Sequence, residues 1–252
     1  MLSDVVKDLK IIKRVEEHYN YICQLYPPEQ ILGVFLYGSQ NYGIDTEDSD
    51  VDTKAILIPT LEDLCLKTPV SKEVHLPNGE HCEVKDIREM VKNFRKQNIN
   101  FLEILFTKYK LINLRYKNTW YKYFISQREE IARYDVQKGI LSTAYQAIHT
   151  IKQGPMDNKK ISNGLRLQAF INLYKAGSPY ESCLYLNDAE REILKNIKTG
   201  KTAYSKNSDE LIEEFNYFIK DAKFYPPNQE HQEKIDNQMN QGIIELVKKL
   251  IN

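Results

Sequence analysis

Short apolar runs separated by polar turns characterise the first half of the chain. The run ILGVFLY at 31–37 is continuous and rich in β-forming residues, so it predicts a buried strand. The stretches at 50–58 (DVDTKAILI) and 80–87 (EHCEVKDI) predict two further strands. Apolar residues at helical spacing predict helices over 3–24 and 86–97. Strands and helices are therefore mixed in this half.

Two local signals predict where short helices begin. Thr60 followed by Asp63 predicts a capped helix over 60–66. Asn100 followed by Glu103 has the same spacing, which predicts a capping box and a helix that continues through FLEILFT.

The second half of the chain has only helical periodicity. Gly154-Pro155 and Gly177-Ser178-Pro179 divide it, because these residues end helices. The predicted helices cover 128–153, near 158–176, 187–199, 207–223 and 229–251. The predicted fold class is α+β: a small mixed sheet with helices, followed by a C-terminal helical bundle. We expect two domains, 1–118 and 119–252.

Charge and composition exclude some classes of protein. Lys plus Arg number 35, as do Asp plus Glu, so only a local patch could attract a polynucleotide. The stretch 107–124 mixes basic and aromatic residues, which suits either single-stranded nucleic acid or aromatics packed inward. No run approaches the roughly twenty apolar residues of a membrane span. The four cysteines lack zinc-site spacing, which favours reduced thiols and a cytoplasmic protein.

Asp50 and Asp52 are the first candidates for chemistry. Residues i and i+2 of a strand face the same side, so their carboxylates would repel each other unless a cation lay between them. A divalent ion such as Mg²⁺ is the simplest such partner, because it prefers oxygen ligands. The alternative is a solvated strand edge.

The strand at 31–37 strengthens this prediction because it ends in Gly38-Ser39. Glycine allows close approach to the backbone, and serine offers a hydroxyl to a phosphate. A third carboxylate is expected on a neighbouring strand. Glu83, flanked by apolar residues, is favoured over Asp86, which has a structural explanation as a helix cap.

These motifs resemble the signature of the DNA polymerase β superfamily of nucleotidyltransferases. Within that superfamily, the chain most resembles the RNA-repair-pathway polymerase β family proteins, over roughly residues 30–220. The segments that carry this resemblance are GSQNYG at 38–43, DSDVD at 48–52, EVKDI at 83–87, NINFLEILF at 98–106 and KKISNGLRL at 159–167. Asn163 stands where the family usually has histidine, and Glu83 where aspartate is commoner.

The resemblance implies a polymerase β-like core that transfers a nucleoside monophosphate from an NTP to a hydroxyl. Two Mg²⁺ ions, or Mn²⁺, would be held by Asp50, Asp52 and Glu83. Gly38 and Ser39 would bind the phosphates, and the acceptor would be an RNA end in a bacterial or phage-infected cell.

Basic residues in the second half are candidates for binding the triphosphate. Lys159 and Arg166 are the main ones, and Arg166 lies in an apolar helical run where a charge needs a partner. That partner is either a phosphate or a structural acid. Two alternative functions stay open: transfer to a protein or small molecule, and a non-catalytic nucleotide- or RNA-binding module. The sequence does not indicate an oligomeric state.

Overall fold

A computed structural model describes residues 2–46 and 49–252. Glu47 and Asp48, which belong to the predicted turn and to the DSDVD motif, lie outside the described residues. The strands are β1 (Ile31–Tyr37), β2 (Asp52–Leu57), β3 (Ser71–His75), β4 (His81–Asp86) and β5 (Lys110–Ile112). The helices of the first half are α1 (Leu2–Leu25), α2 (Ser39–Tyr42), α3 (Leu61–Leu66), α4 (Ile87–Arg95) and α5 (Ile99–Leu102).

From Lys117 onward, every regular element in the described chain is helical, as predicted. The helices are α6 (Lys117–Tyr123), α7 (Arg128–Ala132), α8 (Val136–Lys152), α9 (Asn158–Lys175), α10 (Tyr180–Leu184), α11 (Asp188–Lys198), α12 (Ser208–Asp221) and α13 (Gln229–Ile251). Side-chain caps begin several of them, because an Asp or Asn oxygen satisfies the first free amides. These caps are Asp135, Asp157, Asn187, Asn207 and Asn228.

The described strands form one five-stranded mixed sheet in the order β3-β4-β2-β1-β5. β2 lies antiparallel to β1 and parallel to β4, so the strands carrying Asp52 and Glu83 are neighbours. The α+β class and the mixed sheet are therefore confirmed. The two edge strands, β3 and β5, were not predicted. β3 (SKEVH) is largely exposed and polar, and such a strand carries no apolar pattern to detect.

Each face of the sheet is covered by helices. On one face, Val15 and Ile22 of α1 join Val34 and Leu36 of β1 in a small core. On the other face, a larger core begins at Leu32 and Phe35 and extends through the helices to Val247. Because alternate residues of β1 point to opposite faces, its continuous apolar run serves both cores.

Three predicted boundaries were wrong. β2 begins at Asp52 rather than residue 50, because the Val51 amide donates to the Glu80 side chain at 3.0 Å instead of to a strand. The helix predicted from Asn100 begins at Ile99 with Asn98 as its cap, and Glu103 is not part of a capping box. The helix predicted over 128–153 is two helices, because Asp135 is extended and caps α8.

Two general expectations concern membranes and thiols. None of the helices described here combines the length and apolarity needed to cross a membrane. The described thiols of Cys23, Cys65, Cys82 and Cys183 are all free. The capping box of Thr60 and Asp63 at the start of α3 is confirmed.

Candidate active site

The turn after β1 is built around a glycine that another residue could not replace. Gly38 has φ of 79°, and a Cβ atom there would lie 2.9 Å from Asp52 Oδ2. The close approach predicted from glycine therefore brings the turn against Asp52. The Gly38 amide donates to Glu103 Oε2 at 3.1 Å, so it is not free to bind a phosphate as the sequence suggested.

Glu103 anchors this turn from the protein interior. Its side chain is fully buried, and it accepts hydrogen bonds from Asn41 Nδ2 at 3.0 Å and Tyr42 Oη at 2.7 Å in addition to Gly38. Burial raises the pKa of the Glu103 carboxyl to about 7, although these donors lower it. The sequence placed Glu103 in a capping box and missed this role, because Gly38 and Glu103 are 65 positions apart in the chain.

Asp50 and Asp52 lie together at the start of β2. Asp50 is exposed just before the strand, and Asp52 is half-buried opposite Tyr37 of β1. Burial and the charge of Asp50 raise the pKa of Asp52, while His81 lowers it. His81 Nε2 lies 3.3 Å from Asp52 Oδ1. The predicted repulsion between the two carboxylates is therefore present, and His81 is a neighbour that sequence reasoning missed.

A buried network fixes the backbone between these two aspartates. Glu80 Oε1 accepts from the Val51 amide, and Glu80 Oε2 lies 2.8 Å from His18 Nε2. His18 Nδ1 lies 2.7 Å from Thr53 Oγ1. Burial lowers the pKa of His18, which keeps it neutral, so it can donate through Nε2 and accept through Nδ1. α1 thereby supports the segment that carries both carboxylates.

Glu83 lies on the neighbouring strand, as predicted, but faces a cation. Lys54 is opposite Glu83 in the parallel register, and its Nζ is 2.9 Å from Glu83 Oε1. The Tyr37 hydroxyl donates to the same oxygen at 2.9 Å. Burial opposes the charge of Glu83, but Lys54, Tyr37 and Lys85 outweigh it and lower the pKa of the carboxyl. Asp86 caps α4 and pairs with Arg88, which confirms its structural interpretation.

A cleft of about 250 Å³ separates the GS turn from the helices of the second half. Its N-terminal wall includes Gly38, Ser39 and Asp52, and its helical wall includes Lys159, Asn163, Arg166 and Lys198. The structure thus brings Gly38, Ser39, Asp52, Lys159 and Arg166 together. Asp50 and Glu83 are not part of the cleft lining.

Lys198 is a basic residue of the cleft that the sequence did not single out. Its Nζ donates to the Ile44 carbonyl at 3.1 Å, and burial with the nearby Lys159 lowers its pKa. The sequence pattern around Lys198 on α11 predicts only a surface residue. Lys160, by contrast, is turned away, because its Nζ donates to the Pro155 carbonyl at 2.8 Å.

Arg166 is buried in the cleft wall with part of its guanidinium unpaired. It is 3% exposed, donates to Asn163 Oδ1 at 3.1 Å and lies 4.0 Å from the Tyr42 ring centre. Its Nε and Nη1 have no hydrogen-bond partner among the described residues. Among the described residues no carboxylate forms a salt bridge with Arg166, although its charge lowers the pKa of the buried Glu103 carboxyl, which lies on the other side of Tyr42. A buried donor without a partner is costly, so these two nitrogen atoms are available to an acceptor in the cleft.

The basic aromatic stretch 107–124 is mostly packed inward. Tyr109, Tyr116 and Trp120 are buried, whereas Tyr121 is 63% exposed. Of the two interpretations left open by the sequence, inward packing therefore explains the buried aromatics.

The donor set decides what cation the site could hold. Within the described residues, no three His, Cys, Asp or Glu side chains form a group able to hold a metal ion. Of the described carboxylates, Asp50 and Asp52 would suit one hard cation, because Mg²⁺ commonly takes one or two carboxylates with water and phosphates. Glu83 does not complete a third position, since Lys54 neutralises it.

The Asp52 carboxylate on one side of the cleft and the lysine and arginine cations on the other would suit a metal-bound polyphosphate. No protein-family model matches the chain, and no curated protein matches its sequence.

Proposed function

We propose that the protein is a metal-dependent nucleotidyltransferase of the DNA polymerase β type. It transfers a nucleoside monophosphate from an NTP to a hydroxyl acceptor. The observation that carries this proposal is the buried Arg166 guanidinium, whose Nε and Nη1 lack partners in the described chain and which shares a cleft with Asp52. The resemblance of the GS turn and the two aspartates to that superfamily supports the same chemistry.

Each wall of the cleft has a separate task in this proposal. Arg166, Lys159 and Lys198 bind the triphosphate, because guanidinium and ammonium groups form strong hydrogen bonds with phosphate oxygens. The Ser39 hydroxyl binds a phosphate oxygen beside Gly38. Asp50 and Asp52 hold Mg²⁺, or Mn²⁺, which neutralises developing charge on the phosphates when bound.

The reaction itself is a displacement at the α-phosphorus. The acceptor hydroxyl gives up its proton to solvent, and its oxygen forms the new bond to the α-phosphorus. The bond from this phosphorus to the oxygen that bridges to the β-phosphate breaks, and pyrophosphate leaves with that oxygen. The residues of the cleft contribute by holding the triphosphate in place, and such positioning accounts for much of the catalysis in phosphoryl transfer. Glu103 contributes by fixing the GS turn.

The acceptor that we propose is an RNA end. The chain has no net charge, so binding would depend on local cations around the cleft such as Lys159. Each neutralised phosphate releases counterions, so RNA binding should weaken steeply as salt is raised. A small-molecule acceptor would show no such dependence.

Replacement of Arg166 by Met tests the proposal. We expect NTP affinity to fall by about 10- to 100-fold, because a charge-assisted contact with phosphate is lost. The free energy of unfolding without nucleotide should stay constant or rise, because an incompletely paired buried charge is removed. Titration calorimetry and urea denaturation measure the two quantities.

Two further variants complete this experiment. Asp52→Asn should abolish transfer of label from an α-labelled NTP to pooled RNA, whereas Asp188→Asn, on the exposed surface, should not. Unchanged NTP affinity in Arg166→Met, with reduced stability, would show that Arg166 is structural and would contradict the proposal.

A further inference from the structure

We infer, on the basis of the proposed function, that the active site binds one divalent cation rather than two. The ammonium of Lys54 occupies the place beside Glu83 that a second ion would take. The three carboxylates named from the sequence therefore do not act as one metal-binding set. Asp50 and Asp52 bind the metal, and Glu83 pairs with Lys54.

The surroundings of Lys54 form a complete binding site for an ammonium group. The side chain is fully buried, and its Nζ lies 2.9 Å from Glu83 Oε1. The same Nζ is 3.4 Å from the ring centre of Tyr37 and 4.6 Å from that of Phe101. Aromatic faces attract cations, most strongly where water is excluded. Lys54 is thus held by one carboxylate and two rings.

The strand register places this ammonium where it competes with a metal. Asp52 and Lys54 are two residues apart on β2, so their side chains share one face of the sheet. Glu83 lies directly opposite Lys54 on β4. A divalent ion bridging Asp52 and Glu83 would have to lie next to a positive charge, and charges of like sign at such distances repel strongly in a poorly solvated site.

One carboxylate oxygen of Glu83 is already occupied, and both of its oxygens lie near a lysine. Oε1 accepts from both Lys54 and Tyr37, and Oε2 lies 3.7 Å from Lys85 Nζ. By contrast, Asp50 is exposed, and Asp52 has only His81 at hydrogen-bond distance among the described side chains. Of these three carboxylates, the two aspartates are therefore the ones that no described lysine pairs with.

The number of bound ions distinguishes this arrangement from a two-metal site. Mn²⁺ would be titrated into the full-length protein in the presence of a saturating NTP analogue with an α,β-methylene bridge. The free Mn²⁺ would be measured by electron paramagnetic resonance. We expect one ion per wild-type chain. Lys54→Met removes the ammonium but keeps a side chain of similar length, so Glu83 becomes available and the count should rise to two.

Two control variants separate loss of this ammonium from other effects. Lys54→Arg keeps the charge, and its count should stay at one even if Lys54→Met does not fold. Lys92→Met removes the lysine of an exposed lysine–glutamate pair, Lys92 with Glu89, and its count should also stay at one.

The outcomes distinguish this inference from the proposed function. Two ions in the wild-type protein, with the analogue bound, would overturn the one-ion arrangement and leave nucleotidyl transfer intact. A count of one in a folded Lys54→Met variant that binds the analogue would also overturn it. No bound Mn²⁺ and no binding of the analogue to the wild type would overturn both.

Discussion

Buried charged residues around the cleft differ in how completely they are paired. Lys54 is held by a carboxylate and two aromatic rings, and Glu103 accepts from three donors. Arg166 donates to one amide oxygen, and its Nε and Nη1 have no partner within the described residues. Full pairing explains how a charged side chain is kept in the interior, whereas incomplete pairing leaves hydrogen-bond donors available to a ligand.

Glu103 makes stability depend on pH. Its pKa is about 7 in the folded chain against an ordinary value of 4.5, so the fold favours the protonated form. The contribution of the Glu103 carboxyl to the free energy of unfolding is complete below pH 4.5 and is lost as the pH rises through about 7. Relative to Glu103→Gln, which cannot titrate, the wild type should lose ~3 kcal/mol of unfolding free energy over this range.

Urea denaturation of both proteins at several pH values measures this difference. The Gln variant has nearly the same shape, so other titrating groups contribute equally to both curves and cancel in the comparison. Parallel stability curves for the two proteins would show that Glu103 does not titrate in this range.

At the scale of elements, the long helix α1 supports the candidate site although none of its residues lines the cleft. It places His18 under β2, where His18 binds Thr53 and Glu80. Glu80, just before β4, in turn accepts the amide of Val51. The position of the two aspartates therefore depends on a helix, a strand and a turn at once, which no single element could provide.

Replacement of His18 by Ala should disturb this support. The Thr53 hydroxyl would keep a buried polar atom without its partner, which typically costs about 1–3 kcal/mol. Glu80 would lose its link to α1 through His18, although Asn78, Arg14 and the Val51 amide would still contact it. We expect reduced stability in urea and, because Val51 is held less firmly, weaker Mg²⁺-dependent NTP binding. The control is His75→Ala, because His75 is 74% exposed and should leave both measurements unchanged. If the His18→Ala protein were less stable but bound NTP as tightly as the wild type, the network would contribute to folding and not to NTP binding.

At the scale of the whole molecule, the two halves share one core. The larger core cluster runs from Leu32 in β1 to Val247 in α13. The ring of Trp120 lies 5.4 Å from that of Phe35, measured between centres. Arg95 and Asp236 form an ion pair across the halves at 2.6 Å. The predicted division at residues 118 and 119 thus lies within continuous packing.

This shared core predicts a single cooperative unfolding transition. The one tryptophan of the chain is Trp120, and it reports on contacts between the halves. The Trp120 fluorescence and the far-ultraviolet circular dichroism should change at the same urea concentration, because loss of the shared core would expose the tryptophan and unfold the helices in one step. A fragment of residues 1–118 should not fold alone, since Phe35 would lose its contact with Trp120 and become exposed to solvent. Two separated transitions would instead indicate independent domains.

The sequence by itself determined the features that depend on neighbouring residues. The apolar run of β1, the turn at Gly38 and the apolar residues after Asp52 identify the two central strands and their connection, because burial and chain reversal have local signatures. The cap at Thr60 and the helices α9, α11, α12 and α13 were predicted for the same reason.

Only the tertiary structure decided which charged groups meet. Lys54 and Glu83 are 29 positions apart, His18 and Glu80 are 62, and Gly38 and Glu103 are 65. A local pattern does not encode such pairs, because the sheet register and helix packing bring them together. Hence the sequence showed neither that Glu103 lies beside the GS turn nor that the Lys54 ammonium lies beside Glu83, and both neighbours became visible only in the fold.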